Sequence, residues 1–184
     1  MTEEPADDFA GEPDAFGRLW APHRLAYIQG GPGTGKEPDD EAGQECPFCR
    51  APKLSDEDAL IVARGELVYA VLNLYPYNAG HLMTVPYRHV ADYPDLTPDE
   101  VGELGALTQK AMRAMRAAAG PHGFNIGMNQ GVVAGAGIAA HLHQHVVPRW
   151  GGDTNFMPIV AHTRVLPQLL SDTRRILADS WPTA

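Results

Sequence analysis

The chain is short of cysteine, of basic residues and of long apolar runs, and each shortage excludes something. Two cysteines in 184 residues, Cys46 and Cys49, are too few for a disulfide framework. No apolar segment is long enough to cross a bilayer, so no membrane role is expected. Lys and Arg number 14 against 23 Asp and Glu, a net charge of −9 with His neutral. A binder of nucleic-acid backbones presents a basic surface, so nucleic acid is not an expected partner. A small anionic ligand stays compatible, because a local pocket can be positive on an acidic protein. Met1 to Asp14 is acidic and lacks the basic start and apolar stretch of a signal peptide. A cytoplasmic, soluble protein is the expectation.

Residues 1–14 read as a disordered acidic tail. Residues 15–45 read as an N-terminal arm followed by a Gly-rich linker, and 46–184 as the folded domain. The stretch Gly30-Gly-Pro-Gly-Thr-Gly-Lys36 imitates a phosphate-binding P-loop. Glu37 stands where the motif needs Ser or Thr, and more acids follow, so it is read as linker. Strands are predicted at Leu60–Arg64, Leu67–Leu72, His81–Val85, Phe124–Asn129 and Leu142–Val147. A long helix starts at Thr97-Pro98-Asp99-Glu100, with Thr97 as N-cap, and runs to Gly120. A second amphipathic helix is predicted over Leu166–Trp181. The order β-β-β-α-β-β-α favours an antiparallel α+β sheet over alternating βαβ units.

The most informative run is His141-Leu142-His143-Gln144-His145-Val146-Val147-Pro148-Arg149. Histidines at a spacing of two share one face of a strand, while Leu142, Gln144 and Val146 take the other. Imidazole is a poor filler for a buried sheet face, so a polar site is implied. Alternate residues lie about 6.6 Å apart, which puts the outer pair about 13 Å apart. Zinc needs its nitrogens within about 2.1 Å, so one metal cannot hold the whole trio. At least one histidine needs another task, and nucleophilic attack on phosphorus by a neutral imidazole is a candidate. Just upstream, Asn129-Gln-Gly-Val-Val-Ala-Gly-Ala-Gly137 is built of small residues that let backbone amides approach a phosphate chain. Arg149 is either charge for a phosphate or an ordinary surface arginine. Trp150 either stacks on a base or fills a subunit interface.

These segments resemble the histidine-triad superfamily: His-x-His-x-His with apolar residues following, Asn73-Leu-Tyr-Pro-Tyr-Asn-Ala-Gly80-His81 with Val85-Pro86, and Asn129-x-Gly131. The likeness spans about residues 46 to 150. Leu72–Asn78 and Pro148–Phe156 resemble, more narrowly, the bacterial diadenosine tetraphosphate phosphorylases of that superfamily. The resemblance implies a five-stranded antiparallel sheet with a long central helix and a C-terminal helix. It implies phosphorolysis of the dinucleotide to ADP and ATP, with nucleotide and inorganic phosphate as partners and no organic cofactor. By it, His143 attacks the phosphorus and carries the nucleotidyl group. His145 orients the phosphate, and His81 supports the cluster. Asn73 contacts ribose, while Asn129, Gly131, Gly135, Ala136 and Gly137 hold phosphate oxygens. A homodimer or higher homo-oligomer is also implied.

Two departures stand out. Relatives often carry Gln at the position of Gly137, and an apolar residue at that of Gln144; Gln144, Arg149 and Trp150 are counted among the substrate-binding candidates. The alternatives are a hydrolase or nucleoside phosphoramidase working through the same intermediate, and a nucleotide-binding protein without turnover.

Cys46-Pro-Phe-Cys49 has the spacing of a zinc knuckle, although a redox pair or two small buried residues share that spacing. By resemblance to triad proteins and galactose-1-phosphate uridylyltransferases, His89 and His141 would complete a structural zinc site.

Overall fold

The computed structural model describes residues 46–153 and 168–183. The acidic tail, the arm and the Gly-rich linker lie outside the described residues.

Five strands form one antiparallel sheet: β1 (Ile61–Arg64), β2 (Val68–Leu72), β3 (Leu82–Pro86), β4 (Gly123–Met128) and β5 (Gln144–Arg149), in spatial order β1-β2-β3-β5-β4. A short helix α1 (Pro47–Arg50) precedes them, the long helix α2 (Pro98–Ala119) joins β3 to β4, and α3 (Leu170–Asp179) closes the chain. The expected α+β architecture is therefore present, with element ends displaced by a few residues.

Strand alternation divides the sheet into two faces with different chemistry. Val68, Ala70, Leu72, Leu82, Leu142 and Val146 pack toward α2, where Leu104, Leu107, Ala111 and Met115 meet them. Tyr69, Val71, Met83 and Val85 face the other way, onto Phe48 of α1. Both clusters exclude water. Cutting a fully buried member such as Leu82 to Ala is worth about 2–5 kcal/mol.

Helix α2 begins with a full capping box. Thr97 Oγ1 accepts from the Glu100 amide at 3.2 Å, and Glu100 Oε2 accepts from the Thr97 amide at 2.8 Å. Arg88 clasps the same carboxylate at 2.9 and 2.7 Å and holds it at about 2, well below the ordinary range. Gly120 ends the helix with φ +56, a left-handed cap that favours glycine. In its second turn, the Glu103 carboxylate accepts from the amides of Glu66, Leu67 and Val68 at 2.7, 2.6 and 3.1 Å. That grip ties the β1–β2 turn to the helix. A Cβ at Gly65 would collide with this carboxylate, so the close approach needs glycine.

Two sequence expectations shift. The last helix covers Leu170–Asp179 and not Trp181. Pro182 disfavours helical geometry at the residue before it, and Trp181 instead packs into the core as an end piece. The last strand starts at Gln144, two residues late, because β3 pairs only as far as Thr84↔Gln144. Upstream of that point the chain bonds the segment after β3, with the Leu142 amide on the Val90 carbonyl at 2.7 Å.

Candidate active site and metal-ligand cluster

The three histidines do share one side, although only His145 belongs to β5 proper. Each is wired differently, and the partners assign the tautomers. His141 is 0% exposed; its Nε2–H donates to the Pro86 carbonyl at 2.9 Å, which leaves Nδ1 as a bare lone pair. His143 does the reverse. Its Nδ1–H donates to the carbonyl of His141 at 2.9 Å, and its Nε2 has no hydrogen-bond partner among the described residues.

His145 is set by a relay. The Tyr77 amide donates to Nδ1 of His81 at 3.0 Å. The proton of neutral His81 therefore sits on Nε2, which donates to Nδ1 of His145 at 2.9 Å. The proton of His145 is in turn left on Nε2, a donor pointing onward from the relay. The rings of His143 and His145 meet edge-on, with centroids 5.0 Å apart and planes at 79°. A lone-pair nitrogen and an N–H thus come from adjacent rings.

Burial keeps these rings neutral. It pushes His143 down, partly opposed by its bond to the His141 carbonyl. Burial, with the neighbouring His143, pushes His145 down to about 4. His141 is also lowered, chiefly by burial, against the pull of the Pro86 carbonyl. Neutral imidazole is the form that can attack phosphorus or ligate a metal.

Behind His141 lies a second cluster. The ligand atoms of Cys46, Cys49, His89 and His141 all lie within 4.8 Å of one another. Nδ1 of His141 is 3.4 Å from the Cys46 sulfur and 3.5 Å from that of Cys49, and Nδ1 of His89 is 3.2 Å from Cys49. A tetrahedral ion with bonds of about 2.0–2.3 Å spaces its ligands at roughly 3.3–3.8 Å. The donor set and its spacing fit such an ion. The bond from His141 Nε2 to a backbone carbonyl is the usual outer support of a metal-bound imidazole. The four residues expected from the sequence are the ones brought together.

Other expected site residues fall into two groups. Asn73 stands beside the relay, with its amide nitrogen 3.4 Å from His81 Nδ1 and its oxygen accepting from the Tyr75 amide at 2.9 Å. The loop after Asn129 turns on Gly131 and Gly135, at φ +78 and +88, where only glycine is at ease. Asn129 reaches across it to the Gly135 carbonyl at 3.4 Å. The amides of Ala134, Gly135 and Ala136 bond to carbonyls within the loop, so those amides are engaged. Gly137 is exposed and has open space where a Cβ would stand.

Gln144, Arg149 and Trp150 do not join the histidines. Gln144 obeys the alternation and points through the sheet to α2, where Nε2 donates to Thr108 Oγ1 at 2.6 Å. Its place among the substrate-binding candidates is corrected: it braces the strand from behind. Arg149 lies four residues beyond His145, about 13 Å along the strand. Its fork grips Asp153 at 2.7 and 2.9 Å and Asn125 at 2.9 Å. Trp150 donates from Nε1 to the Ala119 carbonyl at 3.1 Å and lines a helix-side cavity of about 400 Å³ with Met115 and Leu177.

Sequence reasoning missed Tyr77, whose amide sets the relay, and Phe48, whose ring packs on two of the histidines. Phe48 sits between the cysteines and Tyr77 four residues before His81. Adjacency was therefore the only signal available.

This geometry has relatives. The HIT domain family model matches residues 55–152. An AP-4-A phosphorylase of Mycobacterium tuberculosis is 54% identical over 175 residues, 95% of this chain and 89% of that protein. A crystal structure of a zinc-bound histidine triad family protein from Mycobacterium smegmatis is 28% identical with a TM-score of 0.60, covering 74% of this chain and 92% of that one. A hypothetical histidine triad nucleotide-binding protein from Sulfolobus tokodaii is 25% identical with the same TM-score, 0.60, covering 73% and 91%. The matched stretch exceeds half of the chain and contains the whole histidine relay, so the chain belongs to the HIT domain family.

Proposed function

We propose that this protein is a nucleotidyltransferase that phosphorolyses diadenosine tetraphosphate to ADP and ATP. The observation that carries the reading is the wiring of His143, with Nδ1–H tied to a backbone carbonyl and Nε2 left as a lone pair with no partner among the described residues. The 54% identity to the M. tuberculosis phosphorylase supports the choice of substrate and of phosphate as acceptor.

In the first step Nε2 of His143 attacks the phosphorus next to one adenosine. A P–N bond forms, the bond to the bridging oxygen breaks, and ATP leaves with that oxygen. In the second step an oxygen of inorganic phosphate attacks the same phosphorus. The P–N bond breaks, the electron pair returns to Nε2, and ADP is released. The Nε2–H of His145 steadies charge on the phosphoryl oxygens in both steps, held by His81 through the relay. Asn73 serves the ribose. Asn129, Gly131 and Gly137 serve the phosphates, while the amides of Gly135 and Ala136, bonded within the loop, shape it around them.

Cys46, Cys49, His89 and His141 hold zinc in this reading. With four protein ligands its shell is closed, so the ion supplies rigidity. Strand β4 ends the sheet with an outer edge unpaired among the described residues, and Ile126 on it is 47% exposed. That supports a homodimer or larger homo-oligomer. Among the described residues no helix is long and apolar enough to cross a membrane, in keeping with a cytoplasmic location.

The test is incubation of the protein with diadenosine tetraphosphate, with and without phosphate. ADP plus ATP, formed only with phosphate, is the expected result. AMP plus ATP without phosphate makes it a hydrolase. Tight binding without products makes it a nucleotide-binding protein.

A further inference from the structure

The Cys46–Cys49 turn does more than present thiols. Phe48, between the cysteines, is only 7% exposed. Its ring meets His141 edge-on at 5.5 Å and lies tilted against His143 at 4.9 Å, with 42° between the planes. The nucleophile's ring is therefore held by Phe48, by the edge of His145, and by its own bond to the His141 carbonyl. Two of these contacts lead into the metal-ligand cluster, one through the residue between the cysteines and one through the backbone of a ligand histidine. Phe48 is itself anchored. The hydroxyl of Tyr69, a fully buried residue, donates to the Phe48 carbonyl at 2.8 Å. The amides of Cys49 and Arg50 both bond to the Cys46 carbonyl at 3.0 Å, which closes the turn.

We propose that Phe48 is a positioning residue for the reaction: the metal-ligand turn fixes the plane of the His143 ring through Phe48 and so aims Nε2 at phosphorus. The proposal rests on His143 being the nucleophile. A single bond at Nδ1 leaves an imidazole free to rock about it, and a flat neighbour in contact removes that freedom. The chemistry is sensitive to this, since a displacement of about 1 Å in a reacting atom can cost about 100-fold in rate.

The test follows the adduct itself. Full-length parent, Phe48→Leu and Tyr69→Phe are mixed with excess diadenosine tetraphosphate without phosphate. Adduct mass is read over time, with metal content and thermal midpoint measured on the same samples. Leucine keeps most of the bulk and loses the flat face. Phe48→Leu should form the adduct roughly 10-fold more slowly, at unchanged KM and full metal content. Tyr69→Phe keeps the ring and loosens its anchor, and should slow the same step by a few-fold. Adduct formation at the parent rate by metal-replete Phe48→Leu overturns the proposal, as does a loss seen only in KM. If Phe48→Leu has lost its metal, Tyr69→Phe decides by the same comparison. A parent that never carries the adduct on His143 overturns the nucleophile itself. A parent that does, with both variants unimpaired, overturns only the role of Phe48.

Discussion

Replacing His81 separates a relay from mere proximity. His81 is 1% exposed, accepts from the Tyr77 amide at 3.0 Å and donates to His145 at 2.9 Å. His81→Leu removes these two bonds and the 3.4 Å contact from the Asn73 amide, and so strands polar atoms that include the Tyr77 N–H and His145 Nδ1. Each stranded group costs about 1–3 kcal/mol of stability where water cannot reach it. The catalytic cost is smaller and follows from what His145 retains. Its Nε2–H survives but is no longer oriented. One orienting hydrogen bond is worth about 0.5–1.5 kcal/mol, or roughly 2- to 13-fold in kcat/KM. Removing the donor outright in His145→Ala should cost about 100- to 1,000-fold. The discriminating variant is His81→Gln. Its amide nitrogen reaches about where Nε2 was and can donate to His145, while its oxygen is available to the Tyr77 amide. Single-turnover rates should therefore rank parent, His81→Gln within a few-fold, His81→Leu near 10-fold down, and His145→Ala far below. A His81→Leu protein that folds and turns over at the parent rate refutes the relay. So does a His81→Gln protein as slow as the leucine variant.

Burial depresses His143 and His145, the latter to about 4, so both stay neutral below the ordinary histidine value of 6.5. The kcat/KM profile should stay level through 6.5 and fall only below it; a midpoint at 6.5 contradicts the burial argument. Stability follows the same sign. The unfolded chain takes up protons first, so the contribution is complete above about 6.5 and is lost as pH falls from there through 4, readable as a lower urea midpoint at pH 5 than at pH 7.5. At the metal-ligand cluster, Cys46→Ser should lower metal content and drop Tm by roughly 5–10 °C, given about 2–4 °C per kcal/mol for a chain of this size. Equal metal in variant and parent would exclude the site. On the back of the sheet, Gln144→Leu breaks the bond to Thr108 and should cost about 1–2 kcal/mol in stability with KM unchanged. A raised KM would return Gln144 to the substrate.

Much of this site was legible because strand alternation is a rule of backbone geometry. A spacing of two puts His141, His143 and His145 on one side, and the length of that step forbids a single shared ion. The step says only that the histidines must divide their tasks; that His141 goes with the thiols and His143 attacks came from the family resemblance. Thr97 and Pro98 announced the long helix, and its cap is where they placed it. Gln144 is instructive because the same alternation already turned it away from the histidines. Counting it as a substrate contact went against that geometry. Arg149 and Trp150 were illegible for another reason. Whether a charge is free depends on residues such as Asp153 and Asn125, and their approach is a tertiary fact. The tautomers were equally hidden, since they are set by carbonyls and an amide contributed by other segments: Pro86 for His141 and Tyr77 for His81.

The tautomers also explain why identical side chains two residues apart need not behave alike. In His141 the proton is fixed on Nε2 and the lone pair turns to the sulfurs. In His143 the proton is fixed on Nδ1 and the lone pair turns outward. The difference lies in which nitrogen finds a carbonyl, and the carbonyl that fixes His143 belongs to His141. In the reading proposed above, an ion held by His141 would also steady the acceptor that orients His143. A closed metal shell would then matter to a reaction in which the metal takes no part. Its removal should slow adduct formation beyond what any loss of folded protein accounts for. If chelated protein that remains fully folded by circular dichroism forms the adduct as fast as the metal-bound form, the coupling through the His141 backbone does not exist.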